Sequence, residues 1–155
     1  MLFFLHPVSA SAQVKEIVKV LNREQLKDLQ AREKGLEQSC GEQFELVRKF
    51  QVEGNVLSIE VRRANGDSTE FYIEKQEVDL SKVKAIVKDI NVLFQTDDDA
   101  VTITTTYASG KKDFDKGSTF FLYLSCGKEN EALAKRIAKA FKKAGWPIEI
   151  GVWAD

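Results

Sequence analysis

The spacing of apolar residues changes once along the chain, from a helical period to a period of two. Between residues 14 and 38 apolar side chains recur at intervals of three and four residues, and the segment has no proline and one glycine. We therefore expect an N-terminal helix over residues 14–38. Asn22, with Gln25 three residues later, has the spacing of a helix start, which predicts a break near residues 21–23.

From residue 43 onward apolar and polar residues alternate, as in half-buried antiparallel strands. The Asn65-Gly66 pair predicts a hairpin, because both residues adopt positive φ at low cost. Phe71 and Ile73 are expected to continue the inward-facing row on the strand after this hairpin. The inward residues of the two strands before it are Phe44, Leu46, Phe50, Val52, Leu57, Ile59 and Val61.

The second half of the chain predicts more strands and one amphipathic helix. A strand-like run breaks near Lys88, residues 97–100 form a turn, and residues 108–118 form a long irregular loop. TFFLYL, residues 119–124, is apolar on both faces, which is typical of a strand covered on both sides. A helix with an apolar stripe follows and ends at Gly145, and residues 148–153 form a short strand.

Together these elements predict an α+β domain over residues 13–155. We expect about seven antiparallel strands in a curled sheet or partly open barrel, because a sheet of that width must curl or split to bury its second face. The C-terminal helix caps it, and the N-terminal helical segment precedes it.

The first twelve residues differ in composition from the rest of the chain. They contain no acidic residue, lysine or arginine, have an apolar run at residues 2–5, and end in the Ala10-Ser11-Ala12 motif. This pattern predicts a truncated signal peptide over residues 1–12, cleaved before Gln13, and hence an exported protein of the periplasm or extracellular space. An apolar N-terminal strand is the alternative interpretation.

Export would remove the one histidine of the chain and would allow its two cysteines to form a disulfide. The one histidine, His6, leaves with the signal, so the mature chain lacks the commonest general base and zinc ligand. We therefore expect no enzyme, cofactor or metal, and a net charge of −1 gives no reason to expect a nucleic-acid partner. An oxidising compartment would allow a bridge between Cys40 and Cys126; two buried free thiols are the alternative.

The hairpin ladder from Phe44 to Ile73, the later strands and the segment TFFLYLSCGKENEALAKRIAKAF resemble a pleckstrin-homology-like domain over residues 43–144. The resemblance implies a scaffold that binds phospholipid head groups, peptides or partner proteins on its strand-connecting loops. Lys49 stands where phosphoinositide-binding members have their first basic residue. Those members also carry, on the second strand, a triplet of a basic residue, any residue and Arg. The triplet is not matched here, because Glu60 stands where its first basic residue should be and Arg62 and Arg63 are adjacent.

Five basic residues remain as a candidate binding surface: Lys49, Arg62, Arg63, Lys111 and Lys112. Since successive strand residues point to opposite faces, Arg62 and Arg63 should not reach the same phosphate.

We expect a non-enzymatic exported binding module for an unknown protein, peptide or lipid, with no transmembrane segment. The alternative is a carrier of a small apolar ligand or lipid inside the curved sheet, suggested by the ten phenylalanines. Contact of the lysine-rich C-terminal helix with a membrane surface is less favoured, because alanines recur along its apolar face.

Overall fold

A computed structural model describes residues 10–35, 43–66 and 69–154 of the chain. These residues form two helices, nine strands and a one-turn 3-10 helix at Leu80–Lys82. The helices are α1 (Ala10–Glu33) and α2 (Glu131–Lys143). The strands are β1 (Glu45–Glu53), β2 (Val56–Ala64), β3 (Phe71–Asp79), β4 (Val83–Asp89), β5 (Asn91–Thr96), β6 (Val101–Tyr107), β7 (Lys112–Gly117), β8 (Thr119–Phe121) and β9 (Glu149–Ala154).

The nine strands belong to two open sheets. One is antiparallel in the order β1-β2-β3-β6-β7, and the other has the order β8-β5-β4-β9. The last strand runs parallel to β4, because α2 carries the chain back before β9 begins. The predicted α+β class is confirmed, whereas the expectation of about seven antiparallel strands in one sheet is wrong.

One hydrophobic core is shared by both sheets and both helices. Four phenylalanines, Phe50, Phe94, Phe120 and Phe141, are among its fully buried side chains. The ring of Phe94 meets that of Phe141 edge-on at 5.3 Å, which fixes α2 over the four-stranded sheet. Gly145 has φ +86 and ends α2 as predicted, since this conformation strains residues that carry a Cβ.

Helix α1 is continuous across the predicted break and ends at Glu33 rather than residue 38. Lys34 and Gly35 form a turn, and residues 36–38 lie outside the described residues. Asn22 does not begin a second helix; its Nδ2 donates to the backbone oxygen of Phe50 at 3.0 Å. A tertiary hydrogen bond therefore replaces the local one that the sequence suggested.

Two predictions about the five-stranded sheet are also wrong. The register pairs Arg62 with Ile73, so Phe71 and Ile73 lie on the outer, exposed face, and Gln76 and Val78 fill the inner one. Residues 112–117, expected within a loop, form β7 against β6. Four of the six residues of β7 are charged and Phe114 is exposed, so the sequence shows no alternation that would indicate a buried strand face.

An ion pair joins helices α1 and α2, and its carboxylate is buried whereas its guanidinium is exposed to solvent. Glu24 Oε1 accepts from Arg136 Nε at 2.9 Å and from Lys27 Nζ at 3.3 Å. The side chain of Glu24 is 4% exposed and that of Arg136 is 43% exposed. Burial alone would raise the pKa of Glu24, but Arg136 and Lys27 outweigh burial and hold that pKa below its ordinary 4.5.

This asymmetry predicts unequal effects of the two single substitutions at pH 7. Arg136→Met removes the main partner of a buried carboxylate and should cost about 3 kcal/mol, whereas Glu24→Gln leaves a solvated arginine and should cost about 1–2 kcal/mol. Because the pKa of Glu24 is lower in the folded state than its ordinary 4.5, the ionised carboxylate contributes its full stabilisation above pH 4.5. This contribution is lost as the pH falls through the lower, folded-state pKa. Urea unfolding at pH 7 and pH 3 should therefore show a smaller Glu24→Gln deficit in acid; equal deficits at both pH values would contradict the pairing.

Cys126 is buried at the corner between β8 and α2, is 2% exposed and takes part in a disulfide. Cys40, its predicted partner, lies outside the described residues, so the Cys40–Cys126 pairing stays a prediction. The signal segment 1–12 also stays a prediction, and its residues 1–9 lie outside the described residues.

The predicted bridge has a direct test. Proteolytic peptides of the non-reduced protein should include one that joins Cys40 to Cys126, and Cys40→Ser should lower the free energy of unfolding by about 2–5 kcal/mol. Adding a reductant should destabilise the parent chain and leave Cys40→Ser unchanged. Full alkylation of both thiols without reductant would show that the bridge is absent.

Candidate functional site

Among the recesses that border helix α1, two have features of a binding site: one lies beside the first half of the helix and one beside its last turn. We call the first the helix–strand groove; it is lined by Ser11, Val14, Lys15, Val18, Asn22, Lys49, Phe50, Gln51, Val52, Gly54 and Asn55. We call the second the arginine–aromatic cavity; it is lined by Arg32, Phe44, Arg63, Asn91, Phe121 and Tyr123.

The helix–strand groove has a volume of about 550 Å³ and runs between α1 and β1. Val14 and Val18, one helical turn apart, form its helix wall, and Phe50 and Val52, two residues apart on β1, form its strand wall. The charged residues among the described lining are Lys15 and Lys49. The groove is therefore apolar on both walls and positively charged.

Strand β1 presents its free edge to this groove. It is the outermost strand of its sheet and pairs with β2 alone within the described part of the chain. The Phe50 oxygen accepts from Asn22 of α1, so the edge opposite β2 faces the helix. The other amide atom of Asn22, Oδ1, is buried without a hydrogen-bond partner among the described residues. A polar group left in this state destabilises the empty groove.

The arginine–aromatic cavity has a volume of about 140 Å³ and lies at one end of the space between the sheets. The guanidinium of Arg32 lies over the Phe44 ring, 4.7 Å from its centroid, and that ring lies 4.9 Å from Tyr123. Arg63 reaches the same cavity from the inner face of β2, and its side chain is 23% exposed. Two cations from opposite walls thus flank aromatic surface.

Both guanidinium groups at the cavity form ion pairs with carboxylates. Asp28 Oδ2 accepts from Arg32 Nε at 3.0 Å, and Arg32 Nη2 donates to Ser125 Oγ. Glu74 Oε2 lies 3.7 Å from Arg63 Nη1. Neither Asp28 nor Glu74 is among the described lining residues, although each pairs with an arginine that is.

Tyr123 adopts an unusual backbone conformation at the wall of this cavity. Its φ is +55, a left-handed value that costs a bulky residue of order 1–3 kcal/mol. The side chain is held from two directions, because its hydroxyl donates to Glu74 at 2.8 Å and accepts from Gln76 Nε2 at 3.2 Å. Burial and the negative charge of Glu74 raise the pKa of Tyr123 well above the ordinary phenol value, so the hydroxyl stays a donor.

The five basic residues singled out from the sequence do not form one surface. Lys49 lies in the groove and Arg63 in the cavity. Arg62 is on the outer face, 3.4 Å from Glu45 and over the Phe71 ring, as the alternation of strand residues predicts. Lys111 lies 3.5 Å from Asp113 in the β6–β7 hairpin, and Lys112 is exposed at the start of β7.

Sequence reasoning missed most of the cavity. Its residues come from separate parts of the chain. Arg32 lies in the last turn of α1, Phe44 just before β1, and Tyr123 in the irregular segment after β8, so no local motif links them. One available signal was the row Asn22, Gln25 and Asp28 within the apolar stripe of α1, because polar residues at buried helix positions require partners.

The described residues contain no group of three or more His, Cys, Asp and Glu side chains that could hold a metal ion. Neither α1 nor α2 is long and apolar enough to cross a membrane.

No family model matches the chain, and neither a curated protein nor a solved structure does so. The resemblance to pleckstrin-homology-like domains therefore stays a prediction.

Tyr123→Phe should test the polar support of the cavity. Loss of a hydrogen bond to a carboxylate should destabilise the fold by about 1.5–3 kcal/mol at pH 7, measured by urea unfolding. The pKa of Tyr123 is raised in the folded state, so above pH 10 the unfolded chain loses this proton while the folded chain keeps it. The contribution of the Tyr123 hydroxyl to the free energy of unfolding is therefore complete below pH 10 and declines as the pH rises above 10.

The deficit of Tyr123→Phe should therefore shrink at pH 10.5. Tyr72→Phe, on the neighbouring β3, serves as the control and should show a smaller deficit at pH 7. A Tyr123→Phe deficit that is independent of pH would contradict the raised pKa.

Proposed function

We propose that this chain is a non-enzymatic, exported binding module that holds an extended acidic peptide in the helix–strand groove. The observation that carries the proposal is the coincidence of three features in one place. The groove has two apolar walls, two lysines with no acidic residue in its described lining, and the free edge of β1 along one side.

A free strand edge recognises extended backbone. Unpaired N–H and C=O groups on an edge strand can form a ladder with an added strand, and this supplies affinity that does not depend on peptide sequence. Side chains of an extended peptide alternate between faces, so every second one can enter the space between the Val14–Val18 wall and the Phe50–Val52 wall. The groove thus favours a peptide with alternating apolar residues.

The charges of the groove select among such peptides. Lys15 and Lys49 come from opposite walls, and both are exposed at the rim. Carboxylates at the outward positions of the peptide would lie near them, and basic peptides would be repelled. Exposed ion pairs of this kind contribute about 0.2–1 kcal/mol each, so they provide preference while apolar contact and backbone pairing provide most of the affinity.

The groove lining also contains an acceptor, Asn22 Oδ1, that has no hydrogen-bond partner within the described part of the chain. Asn22 Oδ1 is buried at its floor beside the Phe50 backbone. Because this oxygen is closed to solvent, a peptide N–H would meet it only after the Asn22 amide turns toward the groove, and binding would then remove a penalty of about 1–3 kcal/mol from the empty state. This acceptor gives the groove a reason to hold backbone rather than apolar side chains alone.

Two further observations support parts of the proposal. The disulfide at Cys126 favours an oxidising compartment, where such bonds persist. The alternative of a lipid carrier has less support, because Phe50, Phe94, Phe120 and Phe141 fill the core between the sheets.

Selection from a library of displayed seven-residue peptides tests this function. We expect the selected peptides to alternate apolar residues and to be rich in Asp and Glu, with a dissociation constant on the order of micromolar. Amide shifts in NMR spectra should change at Val14, Val18, Phe50 and Val52 on titration with a selected peptide. Affinity should fall as salt rises, because the ion pairs are exposed to solvent.

Lys49→Glu should weaken the selected peptide by about tenfold, since it replaces an attraction by a repulsion. Lys116→Glu is the matched control, because Lys116 is an exposed lysine on β7, the opposite edge strand of the same sheet. Equal losses in the two variants, or shifts that cluster away from the groove, would overturn the proposal.

A further inference from the structure

We propose that the outward faces of α1 and α2 form a docking surface for a lipid membrane with negative surface charge. We call this surface the basic helix face. It consists of five exposed basic residues, Lys19, Arg23, Lys135, Lys139 and Lys143. The proposal goes beyond peptide binding and does not depend on it, because the described lining of the helix–strand groove contains none of these five residues.

A recess between the two helices lies within the basic helix face. Its volume is about 220 Å³. The described lining consists of Glu16, Val20, Arg23, Arg136, Lys139, Ala140 and Lys143. Glu16 is the one acidic residue in this lining, and Arg136 is set aside because Glu24 already pairs with it. Three further cations, contributed by both helices, therefore surround one opening.

The five residues of the basic helix face have no ion-pair partner in the part of the chain that the structure describes. Basic residues of the sheets differ in this respect. Arg48 lies 3.2 Å from a carboxylate oxygen of Glu60, and Lys84 lies 2.8 Å from one of Asp97. The positive charge of the helix face is therefore balanced by solvent ions rather than by neighbouring carboxylates.

The spacing of these residues along each helix is unfavourable for the isolated molecule. Lys19 and Arg23 are four residues apart on α1, and Lys135, Lys139 and Lys143 follow one another at the same interval on α2. Residues four apart are neighbours on a helix surface, so like charges there destabilise the helix. The helix dipole favours cations in the last turn, which accounts for Lys143 alone. An anionic surface would relieve the repulsion among the other four.

Positive and negative charges are unevenly divided between the helices and the rest of the chain. The two helices contain ten basic and five acidic residues, which leaves thirteen basic and nineteen acidic residues elsewhere. An anionic surface attracts the helices and repels the remainder, so it would orient the molecule with both helices toward it. The net charge of −1 does not prevent this, because screening limits each interaction to about 8 Å at physiological salt.

The shape of the basic helix face favours a lipid surface over other anionic partners. The row from Lys135 to Lys143 extends along about 12 Å of helix, and a second helix lies beside it, which suits a continuous plane of phosphate groups. Leu26, which is 56% exposed, follows Arg23 by three residues and offers an apolar side chain next to the charges. The described lining of the recess has no aromatic ring on which nucleic-acid bases would stack.

The contact differs from insertion of an amphipathic helix into a membrane. The apolar stripe of α2, which includes Leu133, Ile137 and Phe141, is buried in the core and is not available to lipid. We therefore expect the basic side chains to meet the lipid head groups while the domain stays folded. Binding of this kind is reversible and sensitive to salt.

Vesicles of two compositions test the docking surface. The full chain should sediment with vesicles of equimolar phosphatidylcholine and phosphatidylglycerol, and it should stay in solution with vesicles of phosphatidylcholine alone. Sodium chloride at about 1 M, where the Debye length is about 3 Å, should release the bound protein. Failure to bind the anionic vesicles, or equal binding to both compositions, would overturn the proposal.

Two double variants that remove equal charge locate the contact. Arg23→Gln with Lys139→Gln should weaken vesicle binding by about tenfold or more, because each basic residue near an anionic membrane contributes about fivefold. Lys112→Gln with Lys116→Gln removes the same charge from exposed positions on β7 and should leave the affinity within about twofold. Equal losses in the two variants would show that net charge alone matters, which contradicts a docking face.

Urea unfolding separates lost binding from lost structure. The variant with Arg23→Gln and Lys139→Gln should be at least as stable as the parent chain, because glutamine retains high helix propensity and like-charge neighbours are removed. Weaker vesicle binding at equal or higher stability supports the proposal. Unchanged vesicle binding by this variant would overturn it.

A DNA duplex of random sequence tests whether the face prefers lipid to another polyanion. Duplex binding as tight as vesicle binding at the same salt, with the same loss in the helix variant, would overturn the lipid assignment. A selected acidic peptide should bind the helix variant within about twofold of the parent, because Lys15 and Lys49 of the groove are unchanged. Failure to select any peptide would leave the vesicle result standing, so the two proposals fail separately.

Discussion

The carboxylate of Asp28 organises the part of the molecule on which both the fold and the cavity depend. It is 8% exposed, and one oxygen accepts the backbone N–H groups of Ser125 at 3.0 Å and Cys126 at 2.8 Å. The other oxygen accepts from Arg32. One side chain therefore attaches α1 to the corner where the chain leaves β8, and without it two N–H groups would lose their acceptor, at about 1–3 kcal/mol for each that is buried.

Asp28 is the last of three polar residues that attach α1 in the same way. Asn22 donates to the backbone of Phe50, and Gln25, which is 1% exposed, lies 3.5 Å from the Leu122 oxygen. These partners are backbone groups at a free strand edge or in segments outside the strands, where the sheets supply no partner. The polar row thus determines where α1 lies, and α1 in turn forms one wall of each recess.

The sequence predicted which segments have the period of a helix and which that of a strand, but not the register in which the strands pair. The stripe of α2, its end at Gly145 and the β2–β3 hairpin follow from local rules, and the structure confirms them. Phe71 and Ile73 were assigned to the wrong face, because a change of one residue in a hairpin reverses every side chain after it. The parallel pairing of β9 depends on where α2 packs, which no short stretch of sequence encodes.

The candidate sites were predictable only in fragments. Lys49 and Arg63 were identified, but each was grouped with basic residues that point elsewhere. The cavity draws its arginines from α1 and β2 and its rings from the approach to β1 and the end of β8, so tertiary packing alone brings them together. The alternation rule did separate Arg62 from Arg63 correctly, because it depends on the strand itself and not on its neighbours.

The net charge of the chain does not describe the local charge of its recesses. The sequence has 23 lysines and arginines against 24 acidic residues, which gave no reason to expect a nucleic-acid partner. Yet the charged residues in the described lining of both recesses are basic, and the acids that pair with the two cavity arginines, Asp28 and Glu74, are not among the lining residues. Local order of charge, rather than the total, therefore sets the preference of such a surface.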